Sequence, residues 1–414
     1  MIFDDKDKCL RLARQILTHY QKRFGTNLKL RLLQLSENIT YLVEYIDITQ
    51  EISGWQSGAR ADSRAEGQIP KVSCGGTDNS RVKKAILRLC RPGYHTEEEL
   101  QAETDWMLAL REQLEQAALP ERQLVLREQA AERNMQGSDF GLCLRQPLTG
   151  DDGAYLYTAG EREDEKYYGM VFSYLSGTPL ERLLPQQQGI WFERLGEVTA
   201  LFHRQARAWK KLSGLARFHW NYETMLGEDA VWGDWRSVRG LVRPEDWRSD
   251  ETGICNSDSA QRQERFDILH RADRMIHDEL QAYGMTAANY GLIHGDLRGA
   301  NLLVEENCLK VIDFDDCGFG WYMQDLAASL SFVETQEWAP GLARAWLKGY
   351  QKQGILTKED MAMVPTFIMM RRMQLLSWIH SRADAASAIA YRERFLEGTV
   401  MLAERYISRG TEYI

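Results

Sequence analysis

Residues 294–301 read HGDLRGAN, so an acid, Asp296, stands five residues before an amide, Asn301. A further acid, Asp313, ends the apolar stretch LKVID that follows. Amide and carboxylate oxygens are ligands that Mg²⁺ accepts while it keeps several waters. Phosphoryl transfer needs such a metal site and a carboxylate at the attacking hydroxyl, but little covalent chemistry from the protein. The types and spacing of these three residues therefore indicate phosphoryl transfer.

The local sequence also predicts how these residues are positioned. The stretches NLLVE (301–305) and LKVIDF (309–314) are strand-like, and ENC between them suits a turn. A loop holding Asp296, followed by this hairpin, would deliver Asp313 to the same site. A polar turn chosen only for its turn chemistry would use the same residue types, and this is the alternative interpretation.

The composition of the 414-residue chain excludes several classes of function. Its formal net charge of −9 argues against a protein that binds nucleic acid or an anionic membrane through a basic face. The seven cysteines are odd in number and never spaced as C-x-x-C, which favours reduced thiols over disulfides or a zinc site. Charged residues are spread through the first fifteen positions, without the apolar stretch typical of a signal peptide. No uncharged apolar run in the sequence is long enough to cross a bilayer. We therefore expect a cytoplasmic protein with neither a nucleic-acid nor a membrane partner.

The order of elements predicts an α+β fold of two lobes, because a chain of this length exceeds one ordinary core. We predict a β-rich N-lobe, residues 1–175, and a helical C-lobe, residues 176–414. The expected N-lobe elements are an amphipathic helix at 6–24, a hairpin at 28–47, a strand at 83–90, a helix at 96–116, and strands at 122–129 and 167–175.

Two segments interrupt this pattern. Residues 51–80 are rich in glycine, serine, alanine and charge, which predicts a mobile insertion in a hairpin. Residues 130–166 form a second polar stretch between strands. After residues 176–179 the chain is expected to be helical, apart from the hairpin that follows HGDLRGAN.

HGDLRGANLL with VIDFDD resembles the catalytic loop and metal-binding segment of the aminoglycoside phosphotransferase and choline kinase-like family. This family has homoserine kinase-like and bacterial stress-response kinase-like members and the bilobal protein-kinase-like fold. Further resemblances follow in the family's order over most of residues 28–330: LSENITYLVE resembles the phosphate-covering hairpin, AILRLCRPGY the third strand, ELQAETDWMLAL the helix of the glutamate partner, MVFSYLSGTP the hinge and GWYMQDLA the segment after the metal-binding acid. The resemblance implies a kinase that uses ATP and Mg²⁺ to phosphorylate a hydroxyl group of a small-molecule acceptor.

The resemblance implies three catalytic residues in the loop. Asp296 would be the catalytic base, His294 would hold the loop through backbone contacts, and Arg298 would lie near the transferred phosphate. A solvated loop arginine is the alternative for Arg298. Asp325 would brace the loop from below.

The metal ligands implied by the resemblance are Asn301 and Asp313. Asp315 follows two residues later, and two roles are open for it. It would either support the metal site as a further acid or cap the following turn.

On the nucleotide side, Arg88 stands where the phosphate-anchoring lysine of the family usually lies, with Glu103 as its ion-pair partner. An arginine keeps the charge and can bind phosphate with two prongs, but it does not replace lysine freely. A strand arginine that pairs only with Glu103 is the alternative. The other nucleotide-binding residues implied by the resemblance are in the hairpin and the hinge: Ser36, Asn38, Thr40, Ser173 and Leu175. The hairpin has no glycine, and Glu37 is a poor neighbour for phosphate.

Two further groups of residues have open interpretations. Six tryptophans at positions 191–247 could form an aromatic cage for a quaternary ammonium group, or pack in the core. Arg371 and Arg372 interrupt an apolar helix. They could be a pair at the helix edge that reaches solvent, or a contact to an acidic substrate.

The sequence thus predicts a kinase with a small-molecule hydroxyl acceptor, and two alternatives stay open. A Ser/Thr protein kinase of the bacterial stress-response type is one, although the segment after Asp313 is too short for a recognisable activation loop. An inactive nucleotide-binding scaffold is the other, supported by the unusual hairpin and Arg88. The sequence names neither the acceptor nor the oligomeric state.

Overall fold

The computed structural model describes residues 5–35, 38–46, 82–90, 92–116, 141–162, 165–238, 257–382 and 386–408. The chain forms two compact units, one of Met1–Thr104 with Arg145–Tyr174 and one of Asp105–Leu144 with Leu175–Ile414. The first unit is mainly a β-sheet and the second is mainly helical, so the predicted α+β class is confirmed.

The strands of the described residues are, in chain order, β1 Lys29–Leu35, β2 Ile39–Ile46, β3 Val82–Leu89, β4 Gly141–Leu144, β5 Pro147–Leu148, β6 Leu156–Ala159, β7 Tyr167–Ser173, β8 Thr178–Pro179, β9 His219–Trp220, β10 Tyr290–Ile293, β11 Leu302–Glu305, β12 Cys308–Val311 and β13 Gly318–Trp321. The α-helices are α1 Lys6–Leu17, α2 Gln21–Phe24, α3 Glu97–Gln116, α4 Pro185–Ala208, α5 Tyr222–Leu226, α6 Ser257–Tyr283, α7 Gln324–Ser329, α8 Ala339–Gln351, α9 Lys358–Ala362, α10 Val364–Ser381 and α11 Ala386–Ile407. Short 3₁₀ helices include Thr18–Tyr20 and Gly299–Asn301.

The sheet of the first unit has the order β1–β2–β3–β7–β5, with β6 also paired to β7, and every pair is antiparallel. Helix α1 packs on one face of this sheet, where Leu12 and Ile16 meet alternate residues of the strands such as Tyr41 and Leu87. The approach is close at Gly169, where a Cβ atom would lie 2.6 Å from the Ile16 side chain. The three-to-four spacing of apolar residues in α1 therefore builds one side of the core, as the sequence predicted.

The predicted hairpin is present in the second unit. Strands β11 and β12 pair antiparallel, with Leu302 opposite Val311 and Glu305 opposite Cys308. They belong to a four-stranded sheet of order β4–β12–β11–β8, in which β4 runs parallel to β12. Because the hairpin is held on both edges, the residues at its two ends are placed firmly.

The expectation that residues after 179 are helical apart from this hairpin is wrong. A second sheet of order β10–β13–β9 lies in the second unit. Its strands are only two to four residues long and pair across large sequence separations, with β10 antiparallel to β13 and β13 parallel to β9. Such short strands carry too few residues for a period of two to be visible in the sequence.

Residues 130–166 are also more structured than a polar stretch. The described part contains β4, β5 and β6, each of two to four residues, and β5 and β6 extend the sheet of the first unit. The predicted insertion at 51–80 and the predicted strand at 122–129 lie outside the described residues.

The helices of the second unit pack closely at glycines. A Cβ atom on Gly196 of α4 would lie 1.9 Å from the carbonyl oxygen of Trp346, and one on Gly349 of α8 would lie 1.7 Å from that of Glu193. Helices α4 and α8 thus approach backbone to backbone. Among the described helices, none has the length and apolar character that crossing a bilayer requires.

Candidate active site

The HGDLRGAN segment connects β10 to β11 and is held by a carboxylate of α7. Oδ1 of Asp325 accepts the backbone N–H of Gly295 at 2.8 Å, and Oδ2 accepts that of His294 at 3.1 Å. Asp325 is fully buried, and its Oδ2 also lies 3.0 Å from Nε2 of His203. Two bonds from one fixed carboxylate set the direction of the loop, in keeping with the bracing position expected for Asp325.

The turn of the loop depends on Gly295. This residue has φ +78°, a left-handed conformation that residues with a Cβ rarely adopt. A Cβ atom would also lie 2.6 Å from the carbonyl oxygen of Asp316. Next to it, the buried ring of His294 accepts the backbone N–H of Asp296 through Nδ1 at 3.3 Å.

Asp296 is the one carboxylate of the HGDLRGAN segment, and both of its oxygens accept hydrogen bonds. Its Oδ1 accepts from Nη2 of Arg371 at 2.6 Å. Its Oδ2 accepts from Nδ2 of Asn301 at 2.7 Å and from Nε of Arg298 at 3.2 Å. Burial alone would raise the pKa of Asp296, but the guanidinium groups of Arg298 and Arg371 outweigh it and hold the pKa below the ordinary 3.8. The carboxylate is therefore charged at neutral pH and fixed through both oxygens.

Arg371 is a residue of the site whose partner the sequence did not predict. Arg371 and Arg372 on α10 are 5% and 3% exposed, so the interpretation as a solvent-reaching pair is wrong. Arg372 donates to Glu334 at 2.7 Å, away from Asp296, so its contacts stabilise the fold. Because an unpaired buried charge is costly, an arginine that is buried in an apolar helix needs an acidic partner. The sequence does not say which acid each arginine meets.

The predicted metal ligands flank the β11–β12 hairpin: Asn301 directly precedes β11, and Asp313 lies two residues after β12. Nδ2 of Asn301 donates to both the backbone oxygen and Oδ2 of Asp296, at 3.0 and 2.7 Å. Asp313 follows β12 and has φ +66°, a conformation that costs free energy in a residue other than glycine. Asp315 is buried, and its backbone oxygen accepts from Arg217. The structure thus positions Asn301 and Asp313 by specific local geometry and holds the backbone at Asp315 firmly.

Arg298 lies between acids. Its guanidinium side chain is 25% exposed, so it is neither a core residue nor a fully solvated loop arginine. Burial alone would lower the pKa of Arg298, but the charges of Asp296 and Asp313 outweigh it and raise the pKa. Arg298 is therefore a permanent cation beside the carboxylate proposed to meet the acceptor.

In the first unit, the structure brings Arg88 of β3 and Glu103 of α3 together. Nη1 of Arg88 donates to Oε1 at 3.0 Å and Nη2 donates to Oε2 at 2.5 Å. Both side chains are buried, at 7% and 0% exposed, and the guanidinium lies 5.1 Å from the ring centre of Phe172. The predicted ion pair is thus present in a two-pronged form. Both of its interpretations, phosphate anchor and structural pair, require this contact.

The other residues predicted for the nucleotide are spread along the first unit and the start of the second. Thr40 lies directly opposite Arg88 across the β2–β3 ladder, and Asn38 precedes β2. Ser173 ends β7, where its Oγ accepts the backbone N–H of Gln146 at 3.0 Å. Leu175, half-buried, is the first residue of the longer segment of the second unit. Ser36 lies outside the described residues.

Among the described tryptophans of the group at positions 191–247, Trp220, Trp232 and Trp235 do not form a cage for an external cation, and Trp247 lies outside the described residues. The face of Trp232 is covered by the guanidinium of Arg371, at 4.8 Å from the ring centre, and that of Trp235 by Arg236 at 4.9 Å. Trp220 donates through Nε1 to the backbone oxygen of Asp316 at 2.7 Å. The hypothesis of packing in the core is therefore the better one for these three residues, which are buried.

Three known proteins show what the chain is similar to. It is 25% identical over 131 residues to the amicoumacin kinase of Bacillus subtilis (strain 168), a stretch that covers 30% of this chain and 39% of that kinase. A solved microcompartment-associated aminopropanol kinase is 29% identical with a TM-score of 0.67, over 96% of this chain and 97% of that one. A solved amicoumacin kinase in complex with AMP-PNP, Ca²⁺ and Ami has the same fold, with 17% identity and a TM-score of 0.59 over 96% and 93% of the two chains.

A match to a protein-family model identifies the family of this chain. The model described as the phosphotransferase enzyme family matches residues 65–356, well over half of the chain, a range that includes the HGDLRGAN segment, the hairpin and α7. This match confirms the resemblance found in HGDLRGAN and VIDFDD. The chain belongs to the phosphotransferase enzyme family, and its enzyme class is that of a phosphotransferase.

Proposed function

We propose that the protein transfers the γ-phosphate of ATP to a hydroxyl group of a small-molecule acceptor, with Mg²⁺ bound. The observation that carries this proposal is the carboxylate of Asp296, which is buried, charged and oriented by Arg371, Asn301 and Arg298. Positioning and charge are most of what phosphoryl transfer requires of a protein.

In the proposed reaction the acceptor oxygen forms a bond to the γ-phosphorus. The bond from this phosphorus to the bridging oxygen of the β-phosphate breaks, and ADP leaves with that oxygen. The hydroxyl proton passes to Asp296 and then to solvent. Because the pKa of Asp296 is lowered, the carboxylate accepts a hydrogen bond from the hydroxyl at first and takes the proton only as the new bond forms.

The donor set near Asp296 fits Mg²⁺. Nδ2 of Asn301 is used in bonds to Asp296, which leaves Oδ1 as the atom of this amide that can face a cation. With the carboxylate of Asp313 this gives two hard oxygen ligands, and phosphate oxygens and water complete such sites. When bound, Mg²⁺ would neutralise charge on the β- and γ-phosphates.

Two observations support ATP as the nucleotide. The related amicoumacin kinase structure contains AMP-PNP, an ATP analogue. In the first unit, Arg88 offers a guanidinium already oriented by Glu103, and an arginine of this kind suits the α- and β-phosphates.

A small-molecule acceptor is favoured over a protein. Helix α7 begins at Gln324, only eleven positions after Asp313, and β13 occupies part of that interval. Protein kinases control activity through a longer activation loop at this point. The related solved structures carry names of small-molecule kinases, which supports the same conclusion.

The substitution Asp296→Asn tests the proposal. ATP binding should remain, while turnover with any accepted alcohol should fall by more than about tenfold, the usual lower range for a general base. Asp273→Asn is the matched control, because Asp273 is also buried and also pairs with an arginine, Arg236 at 2.9 Å. Steady-state kinetics and calorimetry with AMP-PNP separate the two variants. A loss below tenfold in Asp296→Asn, or an equal loss in Asp273→Asn, would remove Asp296 from its role.

The same assay separates the two alternatives. Consumption of ATP that depends on an added alcohol supports the small-molecule kinase. Binding of ATP with no consumption under any condition supports the inactive scaffold, and phosphate transfer only to protein supports the Ser/Thr kinase.

A further inference from the structure

Two buried glutamines beside the HGDLRGAN segment each have one polar atom without a hydrogen-bond partner among the described residues. These atoms are Oε1 of Gln324, the first residue of α7, and Nε2 of Gln374 on α10. The two residues are 5% and 1% exposed, so bulk water does not solvate their amides freely. A buried acceptor without a donor is costly, and so is a buried donor without an acceptor. Each of the two atoms therefore calls for a partner.

The orientation of each amide follows from its other hydrogen bonds. Nε2 of Gln324 donates to the backbone oxygen of Trp220 at 2.9 Å, so Oε1 is the atom that points elsewhere. Oε1 of Gln374 accepts from Nη1 of Arg371 at 3.0 Å, which leaves Nε2 on the other side of that amide. Turning either amide would bring two acceptors or two donors against each other. The unpaired atoms are therefore one acceptor, on Gln324, and one donor, on Gln374.

Both amides line one small cavity of the second unit, together with Arg371 and Gly295 among others. The volume of the cavity is about 10 Å³, close to the space that a single water molecule needs. A guanidinium group carries five N–H donors. In the described part of the chain, the hydrogen bonds of Arg371 use one N–H of each nitrogen, which leaves one on Nη1 and one on Nη2. The cavity is therefore bordered by donors from two residues and by one acceptor.

Only a group that both donates and accepts fits these atoms. A cation cannot accept from Gln374 or Arg371, and an anion cannot donate to Oε1 of Gln324. A hydroxyl group of a bound alcohol would do both, but Asp296, which the alcohol has to reach, is not among the residues that line the cavity. A water molecule does both as well and fits the volume, and buried waters in proteins make about three hydrogen bonds.

We infer that a single buried water molecule occupies this cavity. Its oxygen accepts from Nε2 of Gln374 and from a terminal N–H of Arg371, and it donates to Oε1 of Gln324. The existence of this water site does not depend on the proposed function, because it follows from the hydrogen-bonding groups and the volume alone.

The water joins the two helices that hold the HGDLRGAN segment. On α7, Gln324 directly precedes Asp325, whose carboxylate holds the backbone of that segment. On α10, Gln374 lies three residues after Arg371, which donates to the carboxylate of Asp296. A bridge between the helices fixes these two supports relative to each other. Gln324 and Gln374 are thus positioning residues for Asp296, and this role rests on the proposed function, in which Asp296 meets the acceptor.

A high-resolution crystal structure of the wild-type protein tests the site directly. We expect density for one water molecule within hydrogen-bond distance, about 2.7–3.2 Å, of Oε1 of Gln324 and of Nε2 of Gln374. The density should be the same with and without a bound alcohol, because the alcohol does not supply this oxygen. No density at this position, or density that appears only with the alcohol, would overturn the inference.

Gln324→Met and Gln374→Met, alone and together, test whether the two residues act through the water. Methionine has nearly the length of glutamine but no amide. Each single substitution should raise the equilibrium constant of unfolding by about fivefold or more, the size of one lost hydrogen bond. The double variant should raise it by at least about threefold less than the product of the single effects, because the first substitution already removes the bridge. Chemical denaturation measures these constants.

Gln188→Met and Gln205→Met are the matched control pair. Both glutamines are buried on α4, and their amides have separate partners, the carbonyl of Leu183 and Nε1 of Trp106. They lie 17 residues apart, about 25 Å along the helix, so their effects should multiply. Effects that also multiply in the Gln324 and Gln374 pair would overturn the bridge. If a variant does not fold, the wild-type crystal structure decides alone.

Steady-state kinetics separate the positioning role from a purely structural one. Both single variants at Gln324 and Gln374 should lower kcat by about threefold or more at an unchanged KM for ATP, since the water supports the carboxylate at the acceptor and not the nucleotide. Unchanged kcat would overturn the positioning role and leave the water site. Wild-type protein that holds the water but phosphorylates no alcohol would overturn the proposed function instead.

Discussion

Oδ1 of Asp325 accepts the backbone N–H of Gly295 at 2.8 Å, so a carboxylate on α7 holds the loop that carries Asp296. The second oxygen accepts the N–H of His294 and contacts Nε2 of His203. Asp325, His203 and His294 are all buried, so water does not compete for these bonds. The position of the proposed catalytic carboxylate therefore depends on a residue 29 positions further along the chain.

Asp325→Asn should damage this support. An amide has one oxygen acceptor in place of two, so either Gly295 or His294 would face an N–H group. We expect the free energy of unfolding to fall by about 1–3 kcal/mol and turnover to fall by more than about tenfold. Chemical denaturation and steady-state kinetics measure the two effects. Lowered stability with unchanged turnover would show that the loop keeps its geometry without Asp325.

Gly295→Ala tests whether the close approach at the loop matters beyond backbone strain. Gly284 offers a control. Both glycines have a positive φ, +68° at Gly284 and +78° at Gly295. A Cβ atom on Gly284 would have no atom within 4 Å, whereas a Cβ atom on Gly295 would lie 2.6 Å from a carbonyl oxygen. Both alanines should cost about 1–2 kcal/mol of strain, and only Gly295→Ala should cost more and reduce turnover. Melting curves and kinetics of the two variants decide this. Equal losses would assign the whole effect to the left-handed conformation.

Arg88→Lys and Arg88→Ala separate the two interpretations of the Arg88–Glu103 pair. If Arg88 anchors phosphate, lysine keeps the charge but loses the planar two-pronged contact, so ATP should bind more weakly with measurable activity. Arg88→Ala should then lose more, and Glu103→Gln should add little to it because the two residues act as one unit. Calorimetry with AMP-PNP beside melting curves provides the measurement. Unchanged affinity with a lowered melting temperature would make the pair purely structural.

Arg371→Gln should move the pH dependence of the reaction. In the wild type, burial favours protonation of Asp296 but the guanidinium groups hold its pKa below 3.8, so Asp296 should cause no decline in kcat/KM between about pH 5 and 8. Its contribution to stability is present above the unfolded pKa and is lost only as pH falls through the lowered folded pKa. Without Arg371 the effect of burial is less opposed, so the acid limb should shift to higher pH. Arg372→Gln, which removes a guanidinium paired with Glu334, should lower stability without this shift. An unmoved acid limb in Arg371→Gln would show that Arg371 does not control the charge of Asp296.

The amino-acid sequence by itself determined the local structure that carries the chemistry. HGDLRGAN, the hairpin that follows it and the amphipathic helix α1 could be predicted because each depends on neighbours in sequence: turn residues, alternation in strands and three-to-four spacing in helices. The order of the motifs also predicted the family, and Asp296, Asn301 and Asp313 were named from it. Their catalytic and metal-binding roles stay predictions.

Only the tertiary structure decided which distant side chains meet these residues. Arg371 lies 75 positions from Asp296, and the sequence allowed it to reach solvent as easily as to pair with an acid. The strands β9, β10 and β13 were missed for the same reason, since two to four residues form a strand only when distant partners supply the hydrogen bonds. Local patterns record the preferences of short segments, whereas burial of a charge or pairing of a short strand depends on the free energy of contacts that exist only after the chain has packed.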